Sequence, residues 1–283
     1  MKVGVVGLGL IGGSMARAYK NDGHTVFGFD INDASSGYAA LSGITDAQLS
    51  KDNINECDLL FIALYPEESV NYLEDNAECI SPNCTVIDLC GVKRSICEKG
   101  FLLAQKHGFT FVGGHPMAGT QFSGIKYSRK DLFRGAPMVI VPPRFDDIVL
   151  LDKIKSLLAP AGFGRISVTT AEKHDEIIAF SSQLAHVVSN AYVKSETAKI
   201  HTGFSAGSYK DMTRVAKLNE TMWTELFAEN SDFLIKELDS IISSLTEYKT
   251  ALVNKDNKTL CRLLKEGSDL KEMIDKTSPI KKG

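Results

Sequence analysis

The feature that most constrains the fold lies at the N-terminus, where spaced glycines follow an apolar run. Residues 2–6 have the pattern of a buried strand, and a G-x-G-x-x-G motif comes directly after them. Its three glycines are Gly7, Gly9 and Gly12. They permit, in order, a tight turn, a close approach of the backbone to a pyrophosphate, and close packing of a helix on the strand. The motif therefore predicts a dinucleotide site, with Leu10 and Ile11 opening the helix beside the phosphates.

Short β-rich runs alternate with amphipathic helical stretches over the first 169 residues. The predicted strands are Lys2–Val6, Thr25–Asp30, Leu59–Ala63, Thr85–Asp88, Thr110–Val112, Met138–Val141 and Arg165–Val168. Such alternation is typical of βαβ units in a parallel sheet that helices cover on both faces. We therefore predict an α/β fold, with a Rossmann-type doubly wound sheet over residues 1–169.

Residues 170–283 have a helical pattern and are predicted to form an all-α C-terminal domain. Apolar residues recur there at alternating gaps of four and three positions. This stripe consists of Leu234, Leu238, Ile241, Leu245, Tyr248 and Leu252. A stripe of this kind is typical either of a helical core within one chain or of a seam between two subunits. The second interpretation predicts a homodimer through the C-terminal helices.

Composition and charge exclude several classes of protein. Lysines and arginines number 32 and aspartates and glutamates 35, and the resulting net charge of −3 does not favour nucleic acid or a membrane surface. An apolar run of about 18 residues is absent, and the first strand leaves no room for a signal peptide. The six cysteines have no C-x-x-C spacing and are expected to be reduced thiols. We predict a cytoplasmic protein with no metal site.

The second predicted strand ends at Asp30, about 20 residues beyond the glycine motif, where an acidic residue selects the cofactor. A carboxylate there accepts hydrogen bonds from both ribose hydroxyls of a dinucleotide. It would repel a 2′-phosphate, and the residues that follow, Ile31 to Asp33, include no arginine to offset the repulsion. The sequence therefore predicts NAD rather than NADP.

One histidine is placed for catalysis. His115 lies in the segment G-G-H-P-M-A-G-T, directly after the predicted strand Thr110–Val112. The carboxyl ends of strands in doubly wound sheets are where ligands bind. An imidazole there can act as a general base near neutral pH, and the alternative is a purely structural role in the loop.

Two further polar clusters come from the helical half of the chain. One lies in a predicted long helix and consists of His174, Ser181, Ser182, His186 and Asn190. Of these, Ser182, His186 and Asn190 are spaced four apart and share one face. Arg214 ends the segment Y-K-D-M-T-R, and Trp223 follows it. Each cluster could belong to a binding site, or could be an ordinary solvated face and a surface ion pair.

Taken together, these segments resemble the prephenate/arogenate dehydrogenase family of tyrosine biosynthesis. The segments that carry the resemblance are residues 7–13, 114–119, 174–175, 183–186 and 211–214, and the likeness spans roughly residues 1–250. An H-P-x-x-G loop followed later by D-x-T-R is a far more specific combination than the glycine motif. The resemblance implies oxidation of prephenate at ring carbon C4 by NAD, with loss of the ring carboxylate, to give 4-hydroxyphenylpyruvate.

The resemblance also implies roles for individual residues. His115 matches the family histidine that takes the proton of the C4 hydroxyl while hydride leaves for the nicotinamide. Arg214 matches an arginine that binds a substrate carboxylate, for which a planar guanidinium is well suited. His186 matches a second active-site histidine. The remaining implied positions are Thr120, Gln121 and Trp223 for the substrate and Gly91 for the cofactor.

Two positions depart from the family's pattern. Many relatives carry a serine that bonds the catalytic histidine in the turn after the strand Thr85–Asp88, and this chain has Gly91 there. Water, a backbone group or Cys90 could orient His115 instead. Relatives also often carry an acidic residue after the H-P-x-x-G loop, where this chain has Gln121. Loss of that charge should weaken binding of the ammonium group of arogenate, so prephenate is the predicted substrate and arogenate the alternative.

Two other classes of protein share parts of this pattern. The β-hydroxyacid dehydrogenases have the same two-domain plan but use a K-x-x-x-N pair, where this chain has His186 and Asn190. A non-catalytic NAD-sensing regulator would have no need for His115, His186 and Arg214 to converge, although Gly91 keeps that alternative open.

Overall fold

Eight strands form one sheet in residues 1–120 and 122–277, which are the residues that the computed structural model describes. The strands are β1 (Lys2–Val6), β2 (Thr25–Phe29), β3 (Ala47–Gln48), β4 (Leu59–Ile62), β5 (Thr85–Asp88), β6 (Thr110–Pro116), β7 (Pro137–Val141) and β8 (Arg165–Val168). Their order across the sheet is β3-β2-β1-β4-β5-β6-β7-β8, and neighbouring strands are parallel except for β6 and β7. The predicted doubly wound α/β fold is confirmed.

Helices cover both faces of this sheet. They are α1 (Leu10–Asn21), α2 (Asp33–Leu41), α3 (Pro66–Asn76), α4 (Arg94–His107) and α5 (Ile148–Leu157). Successive residues of a strand point to opposite faces, so that Val5 packs in one core cluster with Met15 of α1, and Val6 packs in a second with Leu73 of α3. Because both faces are buried, the central strands are continuous apolar runs without polar alternation.

Strand β6 is longer than the sequence indicated, because it changes partners along its length. Residues 110–112 pair with β5, whereas residues 113–116 continue as the antiparallel partner of β7. A Cβ on Gly114 would lie 2.5 Å from the backbone oxygen of Asp88, so glycine is required for β6 to pass the end of β5. His115 therefore lies within the strand, beyond the last residue paired with β5, and the prediction that it follows the strand was wrong.

The described residues after β8 are mainly helical. The helices are α6 (Ala171–Ile178), α7 (Ala185–Tyr192), α8 (Gly207–Thr213), α9 (Glu220–Glu229), α10 (Ser231–Val253) and α11 (Asn257–Thr277), and a π-helical turn, Ala179–Leu184, joins α6 to α7. By its packing the chain divides into two compact units, Met1–Ser231 and Asp232–Gly283. The division into functional domains at residues 169 and 170 stays a prediction. In the described part of the chain, no helix has the length and apolar character needed to cross a bilayer.

The second unit, Asp232–Gly283, is built in its described part from most of α10 and from α11. The hydroxyl of Tyr248 donates to the backbone oxygen of Leu263 at 3.1 Å, which ties the two helices together. The predicted apolar stripe divides between two environments, since Leu234 is buried while Leu245 and Leu252 are 60% and 61% exposed. Part of the stripe therefore remains available for a contact outside the chain.

Candidate active site

The glycine motif forms the turn between β1 and α1. Gly7 has a φ of +82°, a backbone conformation that residues with side chains rarely adopt. A Cβ on Gly12 would lie 1.8 Å from the carbonyl oxygen of Gly7, whereas a Cβ on Gly9 would have no atom within 4 Å. The fold itself therefore requires the first and third glycines, while Gly9 borders open space into which a ligand can approach.

Unpaired backbone donors and a carboxylate lie beside this open space. Gly9 is the N-cap of α1 and provides no side-chain cap, so the N–H groups of Leu10 and Ile11 have no partner within the helix. Asp30 directly follows the neighbouring β2, and its carboxylate accepts a hydrogen bond from the backbone of Leu8 at 2.7 Å. Donors for phosphates and an acceptor for ribose hydroxyls are thus brought together as a dinucleotide requires.

The strand segment that carries His115 is held by the end of β5. The carboxylate of Asp88 accepts the N–H of Gly114 at 3.1 Å and that of Cys90 at 3.0 Å. The same carboxylate forms an ion pair with the Lys93 ammonium, and both side chains are fully buried. Burial disfavours this ammonium, but the charge of Asp88 outweighs the effect and holds the pKa of Lys93 above its usual value. A buried ion pair therefore anchors this part of the strand.

A hydrogen-bonded chain of side chains leads away from His115 into α6. Nδ1 of His115 lies 2.8 Å from Nε2 of His174, and Nδ1 of His174 lies 2.6 Å from Oδ1 of Asp175. The Asp175 carboxylate also accepts two backbone N–H groups at the start of α4, from Lys93 at 2.8 Å and from Arg94 at 2.9 Å. The chain of contacts therefore runs without a break from β6 to the N-terminus of α4.

A second set of buried polar groups encloses Asp175. The Asn230 amide donates to the backbone oxygen of Asp175 at 2.9 Å and to Oε1 of Gln183 at 2.8 Å. Its own oxygen accepts a hydrogen bond from Arg94 at 3.0 Å. The Gln183 amide donates to the backbone oxygen of Leu226 at 2.9 Å. The side-chain amides of Asn230 and Gln183 each donate and each accept a hydrogen bond. The network therefore fixes α4, α6, the π turn and α9 against one another.

Burial and local charge set the protonation states of these groups. Burial lowers the pKa of His115 well below its usual value, and His174 and Lys93 lower it further. Burial also lowers the pKa of His174, although its hydrogen bond to Asp175 opposes the effect. Burial raises the pKa of Asp175, but hydrogen bonds from His174 and from the Arg94 backbone outweigh it, and the pKa lies below its usual value. At neutral pH both imidazoles are neutral and the carboxylate is ionised.

His186 on α7 has an aromatic and a cationic neighbour. Its Nδ1 lies 2.8 Å from the backbone oxygen of Ser182, and because a carbonyl only accepts, Nδ1 carries the proton. Its ring lies against Trp223 with centroids 4.0 Å apart. Burial lowers the pKa of His186, the Ser182 hydrogen bond opposes this, and the charge of Arg214 lowers it further. Neutral His186 therefore presents Nε2 as an acceptor near a guanidinium.

The segment that carries Arg214 is fastened to α7. The Ser189 hydroxyl donates to the backbone of Met212 at 2.7 Å, and the Asn190 amide donates to the backbone of Ala216 at 3.0 Å. Arg214 itself is exposed, and its guanidinium forms no hydrogen bond or ion pair with any residue in the described ranges. Asn190 thus has a structural role, and Arg214 is a cation held in place but not neutralised.

The π turn determines which face of the long helix His186 occupies. His174 and His186 are twelve positions apart, and in a regular α-helix this spacing is about 3.3 turns, which would put them about 120° apart. The π turn Ala179–Leu184 takes up one extra residue, so the same span covers about three turns. Both histidines therefore lie on nearly the same face of the helix.

Three other predicted site residues have different outcomes. Thr120 is exposed, and its hydroxyl exchanges hydrogen bonds with the backbone of Phe122 at 3.2 Å. Gly91 lies in the turn after β5, where a Cβ would come within 3.2 Å of the Leu226 side chain. Gln121 lies outside the described residues. The binding roles of all three stay predictions.

No individual role was predicted for His174, Asp175 or Asn230, although all three are buried and His174 contacts His115. His174 belonged to the predicted helical cluster, and Asp175 entered only through the family resemblance. The available signal was the dipeptide itself, because an acidic residue and a histidine near the start of an apolar helix have to pair if both are buried. Asn230 gave no signal, since its contacts span 47 and 55 positions of the sequence.

The glycine loop, the carboxylate of Asp30 and the paired histidines His115 and His174 define a dinucleotide-dependent oxidoreductase with a Rossmann-type sheet. Comparison with known families specifies it further. The nucleotide-binding domain of prephenate dehydrogenase matches residues 15–167, and the prephenate dehydrogenase dimerization domain matches residues 170–266. The chain belongs to the prephenate dehydrogenase family.

Individual relatives resemble the chain over nearly its whole length. Prephenate dehydrogenase of Bacillus subtilis is 27% identical over 278 residues, which are 95% of this chain and 74% of that protein. The crystal structure of A. aeolicus prephenate dehydrogenase with hydroxyphenyl propionate and NAD+ is 28% identical, with a TM-score of 0.81 over 97% of this chain and 98% of the other. Synechocystis arogenate dehydrogenase is 28% identical, with a TM-score of 0.79 over 96% and 99%. The family thus includes enzymes named for either substrate.

Proposed function

We propose that this protein catalyses the NAD-dependent oxidative decarboxylation of prephenate to 4-hydroxyphenylpyruvate in tyrosine biosynthesis. The observation that carries the proposal is the setting of His115 on β6. One of its ring nitrogens is bound to His174, and the other has no partner among the residues described. A neutral imidazole at this edge of a dinucleotide-binding sheet can take a proton from a hydroxyl group. Membership of the prephenate dehydrogenase family supports a cyclohexadienyl substrate.

The residues of the glycine loop fit NAD. Open space at Gly9 and the unpaired N–H groups of Leu10 and Ile11 suit a pyrophosphate. Asp30 suits two ribose hydroxyls and disfavours a 2′-phosphate, and the NAD+ bound to the A. aeolicus relative supports the same choice. Gly91 is proposed to lie against the cofactor as well. When bound, NAD accepts the hydride that the oxidation releases.

His115 is proposed to be the general base. Its Nε2 takes the proton of the C4 hydroxyl while the C4–H bond breaks and its electron pair leaves as hydride, so that C4 becomes a carbonyl carbon. The bond from the ring to its carboxylate then breaks and carbon dioxide leaves. The electron pair of that bond enters the ring and reaches the C4 oxygen, which takes the proton back from His115. Because the product ring is aromatic, the chain has chiefly to align the substrate and hold one proton.

The substrate is proposed to be held from the helical side. The unneutralised guanidinium of Arg214 can bind a carboxylate through two parallel hydrogen bonds. His186 offers Nε2 as an acceptor beside it, and Trp223 fixes the plane of that ring. Thr120 and Gln121 are proposed to complete the site from the segment after β6.

Prephenate is preferred over arogenate on the basis of one uncharged side chain. The two substrates differ in the group on the side chain, which is a keto group in prephenate and an ammonium in arogenate. Gln121 has no negative charge to offer that ammonium. An ammonium would also experience the positive charge of Arg214, which we propose to lie in the same site.

A four-way assay tests this proposal. Purified protein is mixed with prephenate or arogenate, each with NAD or NADP, and the reduced nicotinamide is followed by absorbance. We expect turnover with prephenate and NAD, with 4-hydroxyphenylpyruvate as the product. Turnover with arogenate alone would overturn the substrate preference and leave the mechanism in place. No formation of reduced nicotinamide in any of the four mixtures, with NAD still bound, would overturn the proposed reaction.

We also propose that the protein is a homodimer through its C-terminal helices. The exposed side chains of Leu245 and Leu252 in the second unit support this, as does the match of residues 170–266 to a dimerization domain. Light scattering should give twice the chain mass of 30.9 kDa. A double substitution, Leu245→Lys with Leu252→Lys, should reduce it to the single chain mass. A wild-type monomer at micromolar concentration would contradict the proposal.

A further inference from the structure

The turn after β5 gives His115 no hydroxyl group. Residues 89–93 read Leu-Cys-Gly-Val-Lys, and the space beside Gly91 is taken by Leu226, 3.2 Å from where a Cβ would be. Burial raises the pKa of the Cys90 thiol to about 12, so this thiol stays neutral and is a weak hydrogen-bonding group. The polar contact that His115 makes is with Nε2 of His174. The imidazole is therefore supported from α6.

The positions of the protons in the hydrogen-bonded series from His115 to Asp175 follow from its Asp175 end. The Asp175 carboxylate is ionised and can only accept, so the proton between it and His174 belongs to Nδ1 of His174. Neutral His174 then has a bare Nε2, which can only accept. The proton between the two rings must therefore belong to Nδ1 of His115. Nε2 of His115 is left unprotonated, as an acceptor.

We infer that His174 and Asp175 are positioning residues that hold His115 in the one tautomer able to take a proton through Nε2. This inference rests on the proposed function for its catalytic meaning, but the arrangement of the protons follows from the geometry. A carboxylate, a first imidazole and a second imidazole form a relay across two elements that are 59 positions apart in sequence. When His115 takes the substrate proton, its Nδ1–H still donates to Nε2 of His174, and Nδ1–H of His174 donates to the Asp175 carboxylate. The new positive charge on His115 is thereby stabilised.

The far end of the relay is fixed by the fold. Asp175 accepts the backbone N–H groups of Lys93 and Arg94, and Asn230 holds its backbone oxygen. A carboxylate with this many donors cannot turn away from His174 without leaving buried N–H groups unsatisfied. The orientation of Asp175 is thereby passed through His174 to His115.

The charged groups around the two imidazoles form balanced pairs. From β5 and the start of α4 come Asp88 and Lys93, which pair with each other. From α4 and α6 come Arg94 and Asp175, joined at 3.3 Å, and Glu172 lies 3.9 Å from the same guanidinium. Because Asp88 and Asp175 are each paired with a cation, their tendency to favour protonated imidazoles is reduced, and the lowered pKa values of His115 and His174 agree with neutral rings.

Nuclear magnetic resonance on protein labelled with ¹⁵N-histidine tests the relay without any substrate. The chain has six histidines, and His115→Asn identifies the His115 signals. We expect wild-type His115 to be the Nδ1–H tautomer from pH 6 to 8. His174→Phe removes the acceptor and should release His115 to a mixture in which Nε2–H dominates. Wild-type His115 protonated on Nε2, or an unchanged tautomer in the His174→Phe protein, would overturn the inference.

Kinetics with matched variants separate positioning from simple stability. His174→Gln places an amide oxygen near the position of Nε2 and should keep the tautomer, with kcat within about tenfold of wild type, whereas His174→Phe should lower kcat about 10²-fold. The KM for prephenate and the Kd for NAD should stay within about twofold in both. His24→Gln, remote from the site, controls for the loss of a histidine. Equal losses in the Gln and Phe variants would overturn the positioning role.

The two readouts keep this inference separate from the proposed function. If the protein oxidises neither prephenate nor arogenate, the tautomer of His115 still decides whether the relay exists. If turnover is normal but wild-type His115 carries its proton on Nε2, the proposed reaction survives and the relay does not. Should His174→Phe fail to fold, wild type and His174→Gln still give the tautomer measurement.

Discussion

The glycine loop and the histidine relay both lie where β-strands of one sheet end, yet they are built in different ways. The loop spans residues 7–12, and its geometry depends on backbone conformation and on the absence of side chains. The relay joins His115, His174 and Asp175, and it depends on side chains from two elements and on a buried network anchored by Asn230.

This difference predicts different consequences of substitution. A change in the loop acts through the space that a new side chain fills, so it should affect cofactor binding before it affects chemistry. A change in the relay acts through the position of one proton, so it should affect turnover while the cofactor still binds.

The largest effect is expected at the reacting end of the relay. His115→Asn keeps a polar side chain of similar width but removes the base, and we expect kcat to fall by about 10²-fold or more. The Kd for NAD, measured by fluorescence titration, should stay unchanged because the glycine loop is intact. Near-normal turnover in this variant would remove His115 from the mechanism.

The next effect concerns the exposed guanidinium. Arg214→Ala should raise the KM for prephenate about 10- to 100-fold, because a hydrogen-bonded ion pair with substrate is lost. The melting temperature should hardly change, since Arg214 has no partner elsewhere in the described ranges. Lys217→Ala, another exposed cation three residues further on, is the matched control. An equal rise in KM for both variants would indicate a general charge effect instead of a specific contact.

Two glycines of the loop provide an internal contrast. Gly12→Ala would place a Cβ 1.8 Å from the Gly7 oxygen, so it should lower the melting temperature and abolish NAD binding. Gly9→Ala meets no atom within 4 Å, so the melting temperature should be unchanged while the Kd for NAD rises about tenfold. Unchanged NAD affinity in the Gly9→Ala protein would mean that the cofactor does not approach the loop at this point.

The smallest effect is on stability in mild acid. The pKa of buried His174 lies below its usual value, so the folded chain binds fewer protons than the unfolded chain below about pH 6.5. The stabilising contribution of the neutral ring is complete above that pH and is lost as the pH falls towards the folded pKa, at up to about 1.4 kcal/mol per pH unit. Urea unfolding at pH 7.5, 6.5 and 5.5 should show this loss, and His174→Gln should reduce it. An identical slope in both proteins would contradict the effect.

Most of the sheet could be predicted because its signals are local. The strands β1, β5 and β8 have the predicted bounds, since apolar runs between turn residues need no distant information. The short strand β3 and the end of β6 were missed. Strand β3 has only two residues, which is too short to show a periodic pattern. Residues 113–116 extend β6 because they pair with β7, and the segment's own sequence does not reveal that pairing.

The site could be predicted only where a motif is contiguous or a resemblance supplied the residue. Gly7, Gly9, Gly12 and Asp30 follow from spacing within one βαβ unit. The relay could not be derived in this way, because His174 meets His115 across 59 positions. The face of the helix that His186 occupies could not be derived either, because it depends on a π turn that has no sequence signature. The contact of His115 with His174, where many relatives have a serine, is therefore visible only in the fold.

The fate of the hydrogen on C4 of prephenate tests the central claim most directly. Prephenate carrying deuterium at C4 is incubated with the protein and NAD, and the products are analysed by mass spectrometry. We expect all of the deuterium on the reduced nicotinamide, with carbon dioxide and 4-hydroxyphenylpyruvate formed in equal amounts. Deuterium in the solvent or retained in the organic product, or reduced cofactor without carbon dioxide, would contradict it.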